Sequence, residues 1–289
     1  MDKKVMAGIV TFNPEIERLE INIDVIMPQV SELLVVDNNS KNIKSIENLI
    51  NRHKNIQIIQ NKKNLGIARA LNQIGEFANK KDYYAFLTLD QDSVADKELV
   101  KKLLLPLQSN EVGMTCPYIN RKNDFVPNEA LIKKSVAVTS GSMVKTKVWE
   151  EIGGFWEYLF IDEVDHEFCY QIKNKGYQII QVNFVTINHI IGVPFEKTIM
   201  GHTFNPTNHS SFRRYYIVRN DIIIKHLYPN EKEPFPDRYL MIFRMAVSIL
   251  LCEKKKREKI FAMLKGIHDA ISWILVNGKT IERRREHLC

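Results

Sequence analysis

Two aspartates one residue apart end an apolar run in the segment Leu89-Asp90-Gln91-Asp92-Ser93. Carboxylates so spaced on a turn can share one divalent cation, and hard oxygen ligands favour Mg²⁺ or Mn²⁺ over zinc. Such an ion commonly bridges diphosphate oxygens and neutralises charge on a leaving group. The same two acids also read as helix caps or solvated loop residues. A second acidic group, Asp162, Glu163 and Asp165, marks a helix start. Asp162 and Asp165 share a face if both are helical, and one of the three can deprotonate an acceptor hydroxyl. Acids there also suit the helix dipole alone. Asp37 ends another apolar run, where it reaches a base or ribose, or forms an Asx turn. Asn64-Leu65-Gly66-Ile67-Ala68 opens a helix whose free N–H groups suit phosphate or base, or serve as a plain cap. His189 reads as a metal or diphosphate ligand, or as a structural histidine. Trp149, Phe155, Trp156 and Tyr158 suit a sugar ring or a core. Arg213, Arg214 and Arg219 suit diphosphate, a lipid phosphate or a solvated helix face.

These residues need a scaffold, and the hydrophobic pattern supplies one. Val5–Thr11, Leu33–Val36, Ile56–Ile59 and Tyr84–Leu89 read as buried strands. Between them lie helix patterns: one after Pro14 with Ile16, Leu19, Ile23 and Ile26 on one face, one ending near His53, and one over Gly66–Lys80 with Ile67, Ala70, Leu71, Ile74 and Phe77 inward. Strict alternation of strand and helix means βαβ units and a mainly parallel sheet. Ligands bind beyond the carboxyl ends of such strands, and Asn13, Asp37, Asn38, Asp90 and Asp92 fall there. There is no GxGxxG after the first strand and no GxxxxGK[ST], so dinucleotide-binding and P-loop readings are weak.

Beyond residue 110 the pattern loosens. Val136–Thr139 reads as a strand, Gly153-Gly154-Phe155 as a turn, 162–175 as a helix ended by Gly176, and Tyr177–Val182 as a strand. From residue 212 the chain turns helical and basic. Tyr239–Cys252 is apolar but shorter than the roughly 20 residues that span a bilayer. Ile260, Leu264, Ile267, Ile271 and Ile274 form a stripe beside Lys254-Lys255-Lys256-Arg257. The two segments suit a helical hairpin or a membrane surface. Of the net charge of +7, five charges fall between Glu253 and Cys289, so no uniformly basic surface for nucleic acid is expected. With 289 residues, 45% hydrophobic and 26% charged, the composition is globular and excludes wholesale disorder and a polytopic membrane protein. The four cysteines lie far apart without a CxxC pair, which fits a reducing cytosol rather than a zinc ribbon or disulfide framework. The Met1-Asp2-Lys3-Lys4 start runs directly into a strand, and no signal peptide is expected.

Four stretches, Ile9–Asn13, Val35–Ser40, Asn64–Asn72 and Leu89–Ser93, follow one another in the order and spacing of a known family. Over about its first 220 residues the chain resembles the inverting family 2 glycosyltransferases. Leu89–Ser93 and the later Phe160–Cys169 look most like bacterial dTDP-rhamnose rhamnosyltransferases. The resemblance implies an α/β GT-A fold, a Rossmann-like, mainly parallel sheet flanked by helices, over residues 1–211. The basic stretch 212–289 reads from its own pattern as a helical extension, and the last 70 or so residues match no motif of the family. The resemblance covers the site as well. It implies that Thr11, Asn13 and Asp37 contact the nucleoside, with Asn64, Gly66 and Asn72 in the nucleotide-sugar site. Asp90 and Asp92 would sit at ribose, diphosphate and metal, with His189 as a further ligand. The base would be Asp162, then Asp165, then Glu163 in order of preference. Here Asp162-Glu163 stand where many relatives carry Glu-Asp, and Gln171 where many carry arginine. The expected reaction moves L-rhamnose from dTDP-β-L-rhamnose to a lipid-linked saccharide in O-antigen, capsule or cell-wall synthesis. The enzyme would be cytoplasmic, peripheral on the inner face of the plasma membrane through its basic helices; a homodimer through those helices is the competing use. The alternatives are a family 2 transferase with a UDP-hexose donor, a sugar nucleotidyltransferase and a non-catalytic carbohydrate-binding protein. The second should carry a Gly-rich basic loop where this chain has Phe12-Asn13-Pro14. The last would need neither group of acids.

Overall fold

Val5–Thr11 forms β1 and is buried along its whole length, as a run without a polar face must be. The computed structural model describes residues 3–119, 129–188, 197–199, 202–204, 206–231 and 238–278. After β1 come α1 (Ile16–Ile26), β2 (Leu33–Asp37), α2 (Ile43–Ile50), β3 (Ile56–Gln60), α3 (Ile67–Lys80) and β4 (Ala85–Asp90). The alternation read from the sequence therefore holds through residue 90. The inward face of α3 differs from expectation: Ile67 and Phe77 are only half-buried, while Asn72 and Gly75 are fully covered.

The next elements are β5 (Val94–Ala95), α4 (Leu99–Leu107), β6 (Val112–Ile119), β7 (Leu131–Lys134), β8 (Ser142–Lys145), α5 (Thr146–Ile152), α6 (Val164–Asn174) and β9 (Gln178–Asn188). One sheet of the described residues has the order β3-β2-β1-β4-β8-β6-β9-β5, with β7 also on β9. The first four strands in that order are parallel neighbours, and β6 runs parallel to β9. β8 is antiparallel to both β4 and β6. The expected strand at Val136–Thr139 is irregular, because other groups claim its backbone. Thr88 Oγ1 donates to the Thr139 carbonyl (2.6 Å), and Ala137 N–H points at Cys169 Sγ (3.3 Å). The strand begins instead at Ser142, after Gly141 turns at φ +81°. β9 runs on past the expected Val182 to Asn188.

The helix expected from residue 162 starts at Val164. Phe160, Asp162 and Glu163 have φ of 64°, 62° and 63°, a left-handed run that no α-helix admits. Asp162 and Asp165 therefore do not share a helix face.

The chain divides into two compact units, Met1–Phe160 with Val164–Ile190, and Ile161–Glu163 with Ile191–Cys289. The second unit holds β10 (Lys197–Ile199) paired with β11 (His202–Phe204), then α7 (Ser211–Leu227), α8 (Arg238–Cys252) and α9 (Lys256–Asn277). Ser210 caps α7 by accepting from Arg213 N–H. The buried line of α9 is Lys259, Met263, Gly266 and Ala270, not the expected isoleucine stripe, of which Leu264 and Ile271 are exposed. A Cβ on Gly266 would lie 2.7 Å from the Tyr215 carbonyl of α7, so glycine is what lets the two helices meet.

Candidate active site

Strand order reverses between β2 and β4 on either side of β1, which opens a crevice at their carboxyl ends. Register sets what lines it: Thr11 lies opposite Asp37, Val10 opposite Asp90, and Asp37 opposite Gln60. The loops after β1 and β4 are tied across the crevice, with Phe12 N–H donating to Gln91 Oε1 (2.8 Å).

Asp37 is 1% exposed, and its carboxylate accepts from Thr11 Oγ1 (2.9 Å), Ser40 Oγ and Ser40 N–H (2.8 Å). Asn13, at φ 51°, accepts from Lys41 N–H through Oδ1 (2.8 Å), and its own N–H donates to Ser40 Oγ (2.7 Å). These three expected nucleoside residues thus form one hydrogen-bonded cluster. Asn64 Oδ1 accepts from Gly66 N–H (2.9 Å), an Asx turn that opens α3. Gly66 sits at φ +86°, and a Cβ there would lie 2.6 Å from the Phe160 carbonyl. That carbonyl accepts instead from Ile67 N–H (2.7 Å).

Asn72 has a different place from the one expected. Its amide donates to the Phe155 carbonyl and Glu157 Oε1 (both 2.9 Å) and accepts from Phe155 N–H (2.7 Å) and Trp149 Nε1 (3.3 Å). All four of its hydrogen-bonding positions are spent on the protein. It locks α3 to the Gly-Gly-Phe turn and has nothing left for a nucleotide sugar. The aromatic residues divide likewise. Trp149 meets Phe86 edge-on and Phe155 stacks on Phe168 in the core, whereas Trp156 and Tyr158 stack on each other, with Tyr158 exposed.

The backbone of the acid pair is pinned from α1. Arg18 Nε donates to the Asp92 carbonyl (2.8 Å) and Asn22 Nδ2 to the Asp90 carbonyl (2.9 Å). From the other side, Ser140 Oγ accepts from Asp90 N–H (3.0 Å) and lies 2.8 Å from Ser93 Oγ. The Asp92 carboxylate is half-buried and has no partner among the described residues. No cluster of three or more His, Cys, Asp or Glu suited to a metal occurs among those residues. Two carboxylates on one turn fit an ion that takes its other oxygens from water and diphosphate, as Mg²⁺ commonly does. His189 lies outside the described residues.

A cavity of 330 Å³ opens in the first unit behind Ser140, lined by Tyr118, Lys134, Val136, Ser140, His166 and Gln181 among others. Its wall thus includes both a residue bonded to the acid-pair loop and one from the first turn of α6. It mixes apolar surface with hydroxyl, amide and imidazole groups, as small polar ligands require. Cys116 also lines it; burial pushes that thiol up to about 12, so it stays protonated.

Of the second acidic group, Asp165 lies in the first turn of α6 and accepts from His166 N–H (2.9 Å). Asp162 belongs to the second unit and is paired with Arg213: Nη2 to Oδ1 at 2.9 Å, and Nε to both oxygens at 3.2 Å. Glu163, beside it, shares the left-handed turn. Arg214 is buried against Glu253 (2.5 Å) together with Lys259 (2.9 Å). Arg213 and Arg214 are therefore each paired with an acid, although the Arg213 side chain stays 42% exposed. Sequence reasoning missed Arg18, Asn22, Ser140 and His166, whose roles arise from distant backbone groups and a cavity that no local pattern marks.

The glycosyl transferase family 2 pattern matches residues 7–170. The chain is 30% identical over 243 residues to the dTDP-rhamnosyl transferase RfbF of Shigella flexneri, covering 78% of this chain and 80% of that one. Among solved structures, GalNAc-T7 with UDP, GalNAc and Mn²⁺ superposes with a TM-score of 0.60 at 13% identity over 95% of this chain, which spans 57% of that longer chain. TarS 1-349 of S. aureus in complex with UDP-GlcNAc gives 0.55 at 14% identity, covering 92% of this chain and 81% of that one. The fold is that of GT-A glycosyltransferases, and the family pattern spans β1 through α6, the elements that hold the crevice, the acid pair and Asp165. The chain belongs to glycosyl transferase family 2 and is a glycosyltransferase.

Proposed function

We propose that this enzyme transfers L-rhamnose from dTDP-β-L-rhamnose, with inversion, to a hydroxyl of a lipid-linked saccharide in the synthesis of a bacterial surface polysaccharide. The observation that carries the reading is the 30% identity, over about four-fifths of both chains, to a protein named as a dTDP-rhamnosyl transferase. The acid pair at the end of β4 supports a nucleotide-diphosphate donor. Asp92, with Asp90, would hold Mg²⁺ or Mn²⁺, and a bound ion of that class neutralises charge on the departing diphosphate. The GalNAc-T7 structure, solved with UDP and Mn²⁺, supports a divalent ion for this fold.

One acid of the group Asp162, Asp165 and Glu163 takes the proton of the acceptor hydroxyl. The acceptor oxygen attacks the anomeric carbon from the face opposite the diphosphate, and dTDP leaves with the bonding electrons. A β-L donor gives an α-L-rhamnoside. The cavity behind Ser140 supplies space for a pyranose ring. Titration calorimetry with dTDP and with UDP, in Mg²⁺ and in EDTA, tests the donor. Tighter, metal-dependent binding of dTDP is expected; preference for UDP would replace the donor by a UDP-hexose.

Membrane attachment is part of the same reading. α8 exposes Leu240, Phe243 and Leu250, and α9 exposes Phe261, Leu264 and Leu275. Lys254, Lys255, Lys256 and Arg257 lie between and beside them, a combination that suits an anionic lipid surface. α9 is long enough to cross a bilayer, but Lys259, Lys265 and Asp269 along it favour lying on one. The expected site is the inner face of the plasma membrane. Flotation with anionic but not zwitterionic vesicles is expected, and a dimer without flotation would assign those helices to self-association.

A further inference from the structure

We infer that Arg18 and Asn22 are positioning residues for the acid pair, holding the turn that carries Asp90 and Asp92 in the shape a divalent cation needs. The inference rests on the reading of that pair as the metal site. Arg18 and Asn22 lie four apart on α1 and so on one helix face. Ser93 N–H donates to the Asp90 carbonyl (3.2 Å), which closes residues 90–93 into a β-turn with the acids at its first and third positions. Asn22 Nδ2 donates to the same carbonyl (2.9 Å), so both of its lone pairs are used. Arg18 Nε donates to the Asp92 carbonyl (2.8 Å). The Gln91 side chain accepts from Phe12 N–H (2.8 Å), and Ser93 Oγ meets Ser140 Oγ (2.8 Å). Each residue of the turn is thus tied to a distant group, and the ties on Asp90, Gln91 and Asp92 all come from the segment 12–22.

Asn22 shows what the ties are for. It is 0% exposed, among Leu19, Ile23 and Ile26, the apolar residues that α1 buries. Its Oδ1 is buried with no hydrogen-bond partner among the described residues. A carbonyl oxygen left that way is costly in a core, and an apolar side chain of similar size avoids the cost. The residue type therefore serves something other than stability, and the hydrogen bond its side chain makes goes to the turn of the acid pair.

The restraint has a physical use. Two carboxylates that converge on one ion repel each other, and a loose turn lets them part. A turn fixed at every residue keeps them together, so less ordering is left for the ion to impose.

The test is Mn²⁺ binding by the purified full chain with saturating dTDP or UDP, read from the paramagnetic resonance signal of the free ion. Asn22→Leu and Arg18→Gln should each raise the Mn²⁺ Kd about tenfold or more, as loss of a group that orients a metal ligand does. Losing the charge of Arg18 would by itself tighten a cation site, so weaker binding in Arg18→Gln reports lost restraint. Arg18→Lys, which still reaches a carbonyl, should recover part. The thermal midpoint of Asn22→Leu should match or exceed that of the native protein, because the unpaired oxygen is gone. An unchanged Mn²⁺ Kd in both variants, or a loss that only follows a lowered thermal midpoint, would overturn the inference. Arg18 is half-buried near the start of α1, so Arg18→Gln decides the matter even if Asn22→Leu does not fold. Asp92→Ala separates the two levels. If it binds Mn²⁺ as the native protein does, the metal reading falls and the inference with it. If it loses Mn²⁺ while both α1 variants bind normally, only the positioning role falls.

Discussion

At the scale of single residues, some side chains stay free for a ligand and others are consumed by the fold. Asp92 is of the first kind: α1 holds its backbone, and its carboxylate has no partner among the described residues. Asp92→Ala should keep the fold and its thermal midpoint but lose metal-dependent turnover by about a hundredfold or more, since an ion on a leaving diphosphate contributes several kcal/mol. Full turnover with metal present would remove the metal from Asp92. Asn72 is of the second kind. Asn72→Ala would leave the Phe155 amide and the Trp149 indole without their buried partner, at a cost of about 2–4 kcal/mol in chemical denaturation. The donor KM of the folded fraction should not move; a large rise would return Asn72 to the binding site. Sequence motifs located both residues and could not tell them apart. Which amide is spent on the protein depends on Phe155 and Glu157, more than eighty positions away.

At the scale of elements, the two ends of the sheet do different work. The carboxyl ends carry the candidate site, whereas the opposite edge carries a structural ion cluster. Glu32, just before β2, accepts from Lys81 (2.8 and 2.9 Å), Tyr83 (2.8 Å) and Gln57 (2.7 Å). Burial raises its carboxyl, but these donors outweigh burial and hold it below the ordinary 4.5. A carboxyl lowered in the folded state adds stability that is complete above its unfolded value and fades as pH falls through the folded one. The thermal midpoint of Glu32→Gln should therefore trail the native protein most near neutrality, and the gap should close below pH 4.5. A gap that widens in acid would contradict the assignment. Elements through β4 were legible because apolar runs and helical stripes alternate without interruption. β6 and α4 were not, since Pro117 sits within the one and Pro106 within the other, and proline disturbs both patterns. The start of α6 was misplaced because the left-handed turn before it is held by Asn220, which lies outside any local window.

At the scale of the whole molecule, the family pattern ends at residue 170, and all of the second unit except Ile161–Glu163 lies beyond it. Its helices bury a network of Arg214, Glu253 and Lys259, while α8 and α9 keep large apolar side chains outward. The charge asymmetry toward the C-terminus was legible from composition. Which side of α9 packs was not, because the burial of Lys259 requires Glu253 and Asn208 to satisfy it. The central claim concerns the donor, and one measurement reaches it most directly: nucleotide release by the purified enzyme from dTDP-rhamnose, UDP-glucose, UDP-galactose and UDP-GlcNAc, each with Mn²⁺, with Mg²⁺ and with EDTA. The expected result is dTDP from dTDP-rhamnose alone, abolished by EDTA. Release of UDP from a UDP-sugar, with dTDP-rhamnose left intact, would contradict it.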